Sequence, residues 1–97
     1  MGSRTDLPWT YDSIGDTEVS SNIKEERARK VYEIAKESVT QNPIANPRSR
    51  LLRGGRYKGM YRWKKTLHNP YRLIYGAKKE TRTVYPAIFD NRGNLKY

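Results

Sequence analysis

The chain reads as an α+β protein: a small antiparallel β-sheet with one or two N-terminal helices packed on one face. Three observations predict it: a helical apolar period over residues 23–39, period-2 alternation in the segments after residue 57, and a turn signal between those segments. Ninety-seven residues, 35% of them apolar, hold one small domain with one modest core and exclude two catalytic domains.

Residues 1–21 combine Pro8, Gly15, several serines and four acids, and only Trp9 to Ile14 hints at alternation. A mobile start or one strand is expected there, followed by a single domain over residues 22–97. Asn22 and Glu25 have capping-box spacing, which predicts a helix starting at that point. Its apolar positions Ile23, Ala28, Val31, Tyr32, Ala35 and Val39, with Ile34 alongside, recur at steps of three and four and define one packing face. The opposite face mixes Glu25, Glu26, Arg27, Lys30, Glu33 and Glu37, an ordinary solvated helix surface. Pro43 and Pro47 stop the helix, since each lacks an amide donor and disfavours α geometry in its predecessor. Arg48 to Arg56 is expected to form a short second helical turn over Leu51 and Leu52 before the Gly54-Gly55 break.

From Tyr57 to Lys65 the pattern is β, then Thr66-Leu67-His68-Asn69-Pro70 turns and Tyr71 to Tyr75 returns, which reads as a hairpin. Residues 76–80 form a second polar turn. Thr81 to Phe89 supplies another strand, in which Pro86 suggests a bulge or an edge, and residues 90–94 turn once more. There is no internal repeat and no low-complexity tract.

Charge narrows the function. With 20 Lys+Arg against 10 Asp+Glu the chain carries +10 and has a pI near 10.0. Residues 1–40 hold 6 basic and 8 acidic side chains, while residues 41–97 hold 14 basic and 2 acidic, Glu80 and Asp90. So few carboxylates cannot neutralise those cations, and a polyanion, nucleic acid above all, is the expected partner. Side chains two apart share a strand face, so Arg62 and Lys64 point one way while Tyr61, Trp63 and Lys65 point the other. Arg72 and Ile74 share a face of the next strand, which puts Arg72 beside Arg62 and Lys64 in a suitable register. Arg53, Arg56 and Lys58 precede that strand as further RNA-binding candidates. Tyr57, Tyr61, Tyr71, Tyr75 and Tyr85 lie among these cations but read as structural, because tyrosine fills a small sheet while its hydroxyl stays wet.

Other chemistries find no residues. Without cysteine there is no disulfide, thiolate metal site or cysteine nucleophile, which fits the cytosol. The lone His68 in a turn does not assemble a metal site, so no metal and no cofactor are expected. Gly54-Gly55 lacks the Lys-Ser/Thr of a phosphate loop, and no spaced Ser/His/Asp set appears. The first residues carry neither a signal nor a transit pattern, and no apolar run approaches the roughly 20 residues of a membrane span. A cytoplasmic protein without membrane contact is expected.

The run Leu52-Arg53-Gly54, Tyr57-Lys58-Gly59-Met60-Tyr61-Arg62-Trp63-Lys64, then Pro70-Tyr71-Arg72-Leu73-Ile74-Tyr75, and Arg92 near Tyr97 resembles the RelE/ParE superfamily of toxin-antitoxin toxins. The resemblance covers residues 50–97 and is most specific at Tyr-Arg-Leu-Ile-Tyr. It implies a RelE-like fold and the activity of the RelE branch: an mRNA interferase, that is, a metal-independent endoribonuclease that cuts mRNA on the ribosome and inhibits translation. It further implies mRNA, ribosome and a cognate antitoxin as partners. Carried over residue by residue, Arg62 and Lys64 match the paired cations before the hairpin turn, with Lys65 as the alternative to Lys64. Arg72 matches the arginine of the Tyr-Arg-Leu strand, and Arg92 and Tyr97 match the C-terminal pair. The catalytic set so implied is Lys64, Arg72, Arg92 and Tyr97. Two other readings stay open: a non-enzymatic ParE-like gyrase inhibitor, and a basic module that binds RNA or the ribosome without cutting.

Overall fold

The computed structural model describes residues 8–95, in the order β1 (Thr10–Tyr11), α1 (Ser13–Ser21), α2 (Glu26–Gln41), β2 (Ser49–Leu51), β3 (Tyr61–Lys64), β4 (Tyr71–Lys78) and β5 (Thr83–Asn91). The five strands form one sheet in the order β1-β5-β4-β3-β2. β3 to β5 are antiparallel as expected, β2 adds antiparallel to β3, and β1 joins the β5 edge in parallel. No helix among the described residues is long and apolar enough to cross a membrane.

α2 buries the face read from its periodicity: Ala28, Val31, Tyr32, Ala35 and Val39 are buried, while Ile34 stays exposed. They meet Trp63, Leu73, Tyr75, Val84 and Phe89 from one side of the sheet. Tyr71 stacks on Phe89 and Tyr61 on Tyr75, with ring centroids 5.6 and 5.5 Å apart. The polar tips of this core are satisfied. Trp63 Nε1 donates to Ser38 Oγ at 3.0 Å, and the Tyr75 hydroxyl bonds Pro43 O at 2.7 Å and Ser49 Oγ at 2.8 Å. Burial pushes the Tyr75 phenol up to about 12.

Two strand bounds move, β3 starting at Tyr61 rather than Tyr57 and β4 continuing through Gly76–Lys78 where a polar turn was expected, and three further local expectations change. Where a mobile start or one strand was expected, β1 and α1 occupy residues 10–21; residues 1–7 lie outside the described part. α1 buries only Val19, so its apolar pattern is faint. It is held instead by an N-cap, Asp12 Oδ2 accepting from Gly15 N at 2.8 Å, and by Asp16, which accepts from the Tyr32 hydroxyl at 2.6 Å and from Lys36 Nζ at 2.7 Å. The Tyr32 hydroxyl also lies 3.0 Å from that of Tyr11, tying β1 to the same knot. Second, Asn22 does not cap α2: it is the C-cap of α1, and α2 starts after an extended Glu25 that makes no side-chain cap bond. Third, Arg48 to Arg56 is not helical. Ser49–Leu51 pairs with β3, and the remainder turns through Gly55 and Gly59, both at positive φ.

Pro86 marks the bulge that its imino nitrogen suggested. Tyr75 pairs with Pro86 and Ile74 with Ile88, leaving Ala87 without a partner across the ladder. Val84 and Pro86 therefore face the helices before the bulge, and Phe89 does so after it.

Candidate RNA-cleavage surface

The face turned away from the helices carries the cations. Register aligns Arg50, Arg62, Ile74 and Ile88 in one cross-strand row and Lys64, Arg72 and Asp90 in the next. Directly opposed side chains have Cβ atoms about 5 Å apart, and neighbouring rows lie roughly 7 Å apart. Arg50, Arg62, Lys64 and Arg72 thus form a staggered cluster of four cations on three adjacent strands, with Asp90 the single carboxylate in their rows. The juxtaposition of Arg62, Lys64 and Arg72 is the one the strand alternation implied.

Each cation is held differently. Arg72 is the buried one, 4% exposed, and its Nη1 donates to the carbonyl oxygens of Asn69 and Tyr71 in the β3–β4 turn. Arg62 keeps its Nε buried with no hydrogen-bond partner. Arg92 follows β5 in a turn fastened at both ends. Its N–H donates to Pro70 O at 2.7 Å, and Asp90 Oδ1 accepts from Asn91 N at 2.7 Å and from Asn94 Nδ2 at 3.2 Å. That turn brings Arg92 to the β3–β4 connection, next to Arg72.

Lys64 is where these fields converge. Its partly desolvated ammonium, beside the charges of Arg62, Arg72, Arg50 and Arg92, is pushed below the ordinary lysine value. Arg50 is the member sequence reasoning missed, because the segment around it reads as a helical turn. The signal was present in Ser49-Arg50-Leu51, whose alternation puts Arg50 on the face opposite its two neighbours. Lys65 stands just past β3, in the turn, where its carbonyl accepts from Arg48. Arg53, Arg56 and Lys58 are exposed in the β2–β3 connection, and the cations acting on Lys64 do not include them. Tyr97 lies outside the described residues.

The site is a partly covered sheet surface, with Arg62 and Lys64 half-buried and Arg72 and Ile74 buried between strands. The groove of about 570 Å³ between the α1–α2 connection and β5, lined by Val19, Ile23, Ala28, Tyr71 and Phe89 among others, contains none of the four cations.

Two helices on one face of a five-stranded mixed sheet, with the cations on the other, is a RelE-like α+β fold. A chain of the toxin-antitoxin complex RelBE2 from Mycobacterium tuberculosis shares it, with a TM-score of 0.63 over 92% of this chain and 97% of that one, at 19% identity. No protein-family model and no curated protein sequence matches the chain.

Proposed function

We propose that the protein is the toxin of a toxin-antitoxin pair and acts as a metal-independent endoribonuclease on mRNA at the ribosome. The observation that carries this reading is the register that places Lys64 opposite Arg72 and two residues from Arg62, where desolvation first and then the neighbouring guanidinium charges disfavour its ammonium. The fold shared with a chain of a toxin-antitoxin complex supports the toxin role and an antitoxin partner.

Cleavage by the 2′-hydroxyl requires a base for its proton, positive charge for the pentacoordinate phosphate, and an acid for the 5′-oxygen. Lys64, with its ammonium destabilised by four guanidinium groups, is the base. Neutral Lys64 Nζ takes the 2′-proton, the 2′-oxygen attacks phosphorus, and the P–O5′ bond breaks to leave a 2′,3′-cyclic phosphate. Arg72 is preorganised by its two carbonyl bonds, and it clamps the phosphate together with Arg62 and Arg92. The buried, unpaired Arg62 Nε is a donor for which a phosphate oxygen supplies the missing acceptor. Arg50 strengthens the field on Lys64. Tyr97 is the candidate for protonating the 5′-oxygen or for stacking on the substrate. Lys65, Arg53, Arg56 and Lys58 add affinity for the RNA backbone at the rim.

Primer extension on an mRNA under cell-free translation tests the proposal, with Lys64→Ala and Arg62→Ala beside the wild type. Cuts that depend on ribosomes and disappear in both variants are expected. Intact mRNA with the wild-type protein would refute the nuclease role and leave the cationic face as a docking surface.

A further inference from the structure

The sheet face that carries the cation cluster continues beyond it. Along β4 the residues turned away from the helices are Arg72, Ile74, Gly76 and Lys78, and on β5 they are Asp90, Ile88, Tyr85 and Thr83. Tyr85 is 40% exposed, and no ring contact or hydrogen bond holds it among the described residues. Its register partner is Gly76, so no side chain opposes the ring. A Cβ at Gly76 would meet only Met60 Cε within 4 Å, at 3.6 Å, which puts the tyrosine ring further off than that. Lys78, exposed and diagonal to Tyr85 on the same face, sets a cation beside the ring. Arg72 and Gly76 are four residues apart on a strand, roughly 13 Å.

An exposed aromatic ring with a lysine diagonal to it, on the same sheet face as a cluster of cations that could clamp a phosphate, supplies the components of a single-strand binding surface. A tyrosine that only filled the sheet would be covered by its neighbours, as Tyr61 and Tyr71 are by Tyr75 and Phe89. We propose that Tyr85 is a nucleobase-stacking platform, with Lys78 as its phosphate contact, for a nucleotide further along the same strand as the one bound at Arg62, Lys64 and Arg72. The inference rests on the RNA reading and deepens it: the protein grips an unstacked single strand at two places, and base contact at Tyr85 fixes which phosphate reaches Lys64. Stacking accepts any base, so the platform governs register and affinity more than sequence.

Binding of a short single-stranded oligoribonucleotide with uncleavable 2′-fluoro sugars tests this at fixed ionic strength. Tyr85→Ala should weaken binding roughly 5- to 150-fold, with an unchanged unfolding temperature, and Tyr85→Phe should restore it because the ring remains. Walking an abasic nucleotide along the oligonucleotide should reveal one position that weakens the wild type and leaves Tyr85→Ala no weaker than before. Wild-type affinity in Tyr85→Ala, combined with weakened binding in Arg62→Ala, would overturn the platform and keep the RNA reading. No oligonucleotide binding by the wild type would overturn the platform, and intact mRNA in the cell-free translation assay would overturn the nuclease reading as well.

Discussion

The two faces of the sheet follow opposite rules. Toward the helices, Trp63, Leu73, Tyr75 and Val84 are fully buried, and the indole and phenol groups there find partners in Ser38, Pro43 and Ser49. On the other face, four cations stand in two rows with one carboxylate, and a guanidinium Nε is buried unpaired. Like charges directly opposed across strands are destabilising, so the second face weakens the fold that the first one builds. Residues adjacent in sequence, Arg62 and Trp63 for example, serve the two rules in alternation. Folding strength and chemistry are separable here at single-residue resolution.

Substitutions that cross this division test it most strongly. Lys64→Ala should lower the single-turnover cleavage rate about 10²- to 10⁴-fold, the usual effect of losing a general base, with no loss of thermal stability. Trp63→Ala, one position away on the other face, should cost about 3–5 kcal/mol in urea unfolding, because the indole volume is emptied and Ser38 loses a donor. An unstable Lys64→Ala, or a Trp63→Ala that is stable but inactive, would break the comparison.

A smaller effect belongs to the knot that fastens α1. Partial burial alone would raise the Asp16 carboxyl, but the bonds from Lys36 and Tyr32 outweigh it and hold the group below its ordinary value. The stability so contributed is present at neutral pH and is lost as pH falls through that depressed value. Asp16→Asn should therefore unfold about 1–2 kcal/mol more easily at pH 7, with the gap to wild type closing in acid as followed by circular dichroism.

The pH dependence of cleavage sharpens the other side. A base whose ammonium is disfavoured loses its proton early, so the rising limb of the rate profile should level off below the ordinary lysine value. Arg50→Ala removes one repelling charge and should move that limb toward higher pH, and a rising limb that persists unchanged in Lys64→Ala would exclude Lys64 as the base. Least in size and most diagnostic in sign, Arg62→Leu should raise thermal stability by a few tenths of a kcal/mol up to about 1 while impairing cleavage.

The α2 face, the Tyr71 hairpin, the Pro86 irregularity and the meeting of Arg62, Lys64 and Arg72 were legible because each rests on a local period or a backbone restriction. α1 was not, because one buried residue, Val19, leaves no period to read. What holds that helix is Asp16 reaching Tyr32 and Lys36, 16 and 20 residues away. Asn22 carried a true end signal for the wrong end: an asparagine that can open one helix can also close another. Arg50 was missed because β2 is three residues long and exists only by pairing with β3.

The unpaired Ala87 acts on β5 as a phase slip of half a period. Before it, odd-numbered residues look toward the cationic side; after it, even-numbered ones do. Tyr85 and Asp90 share that side only because of this offset. Closing the bulge with every residue kept would bring Phe89 opposite Arg72 and Asp90 opposite Tyr71, turning the carboxylate toward the helices and Phe89 toward the cations, whereas deleting Ala87 would leave Ile88, Phe89 and Asp90 opposite Ile74, Leu73 and Arg72. The bulge is thus the point at which β5 absorbs one extra residue while the strand on either side of it keeps its two faces in register.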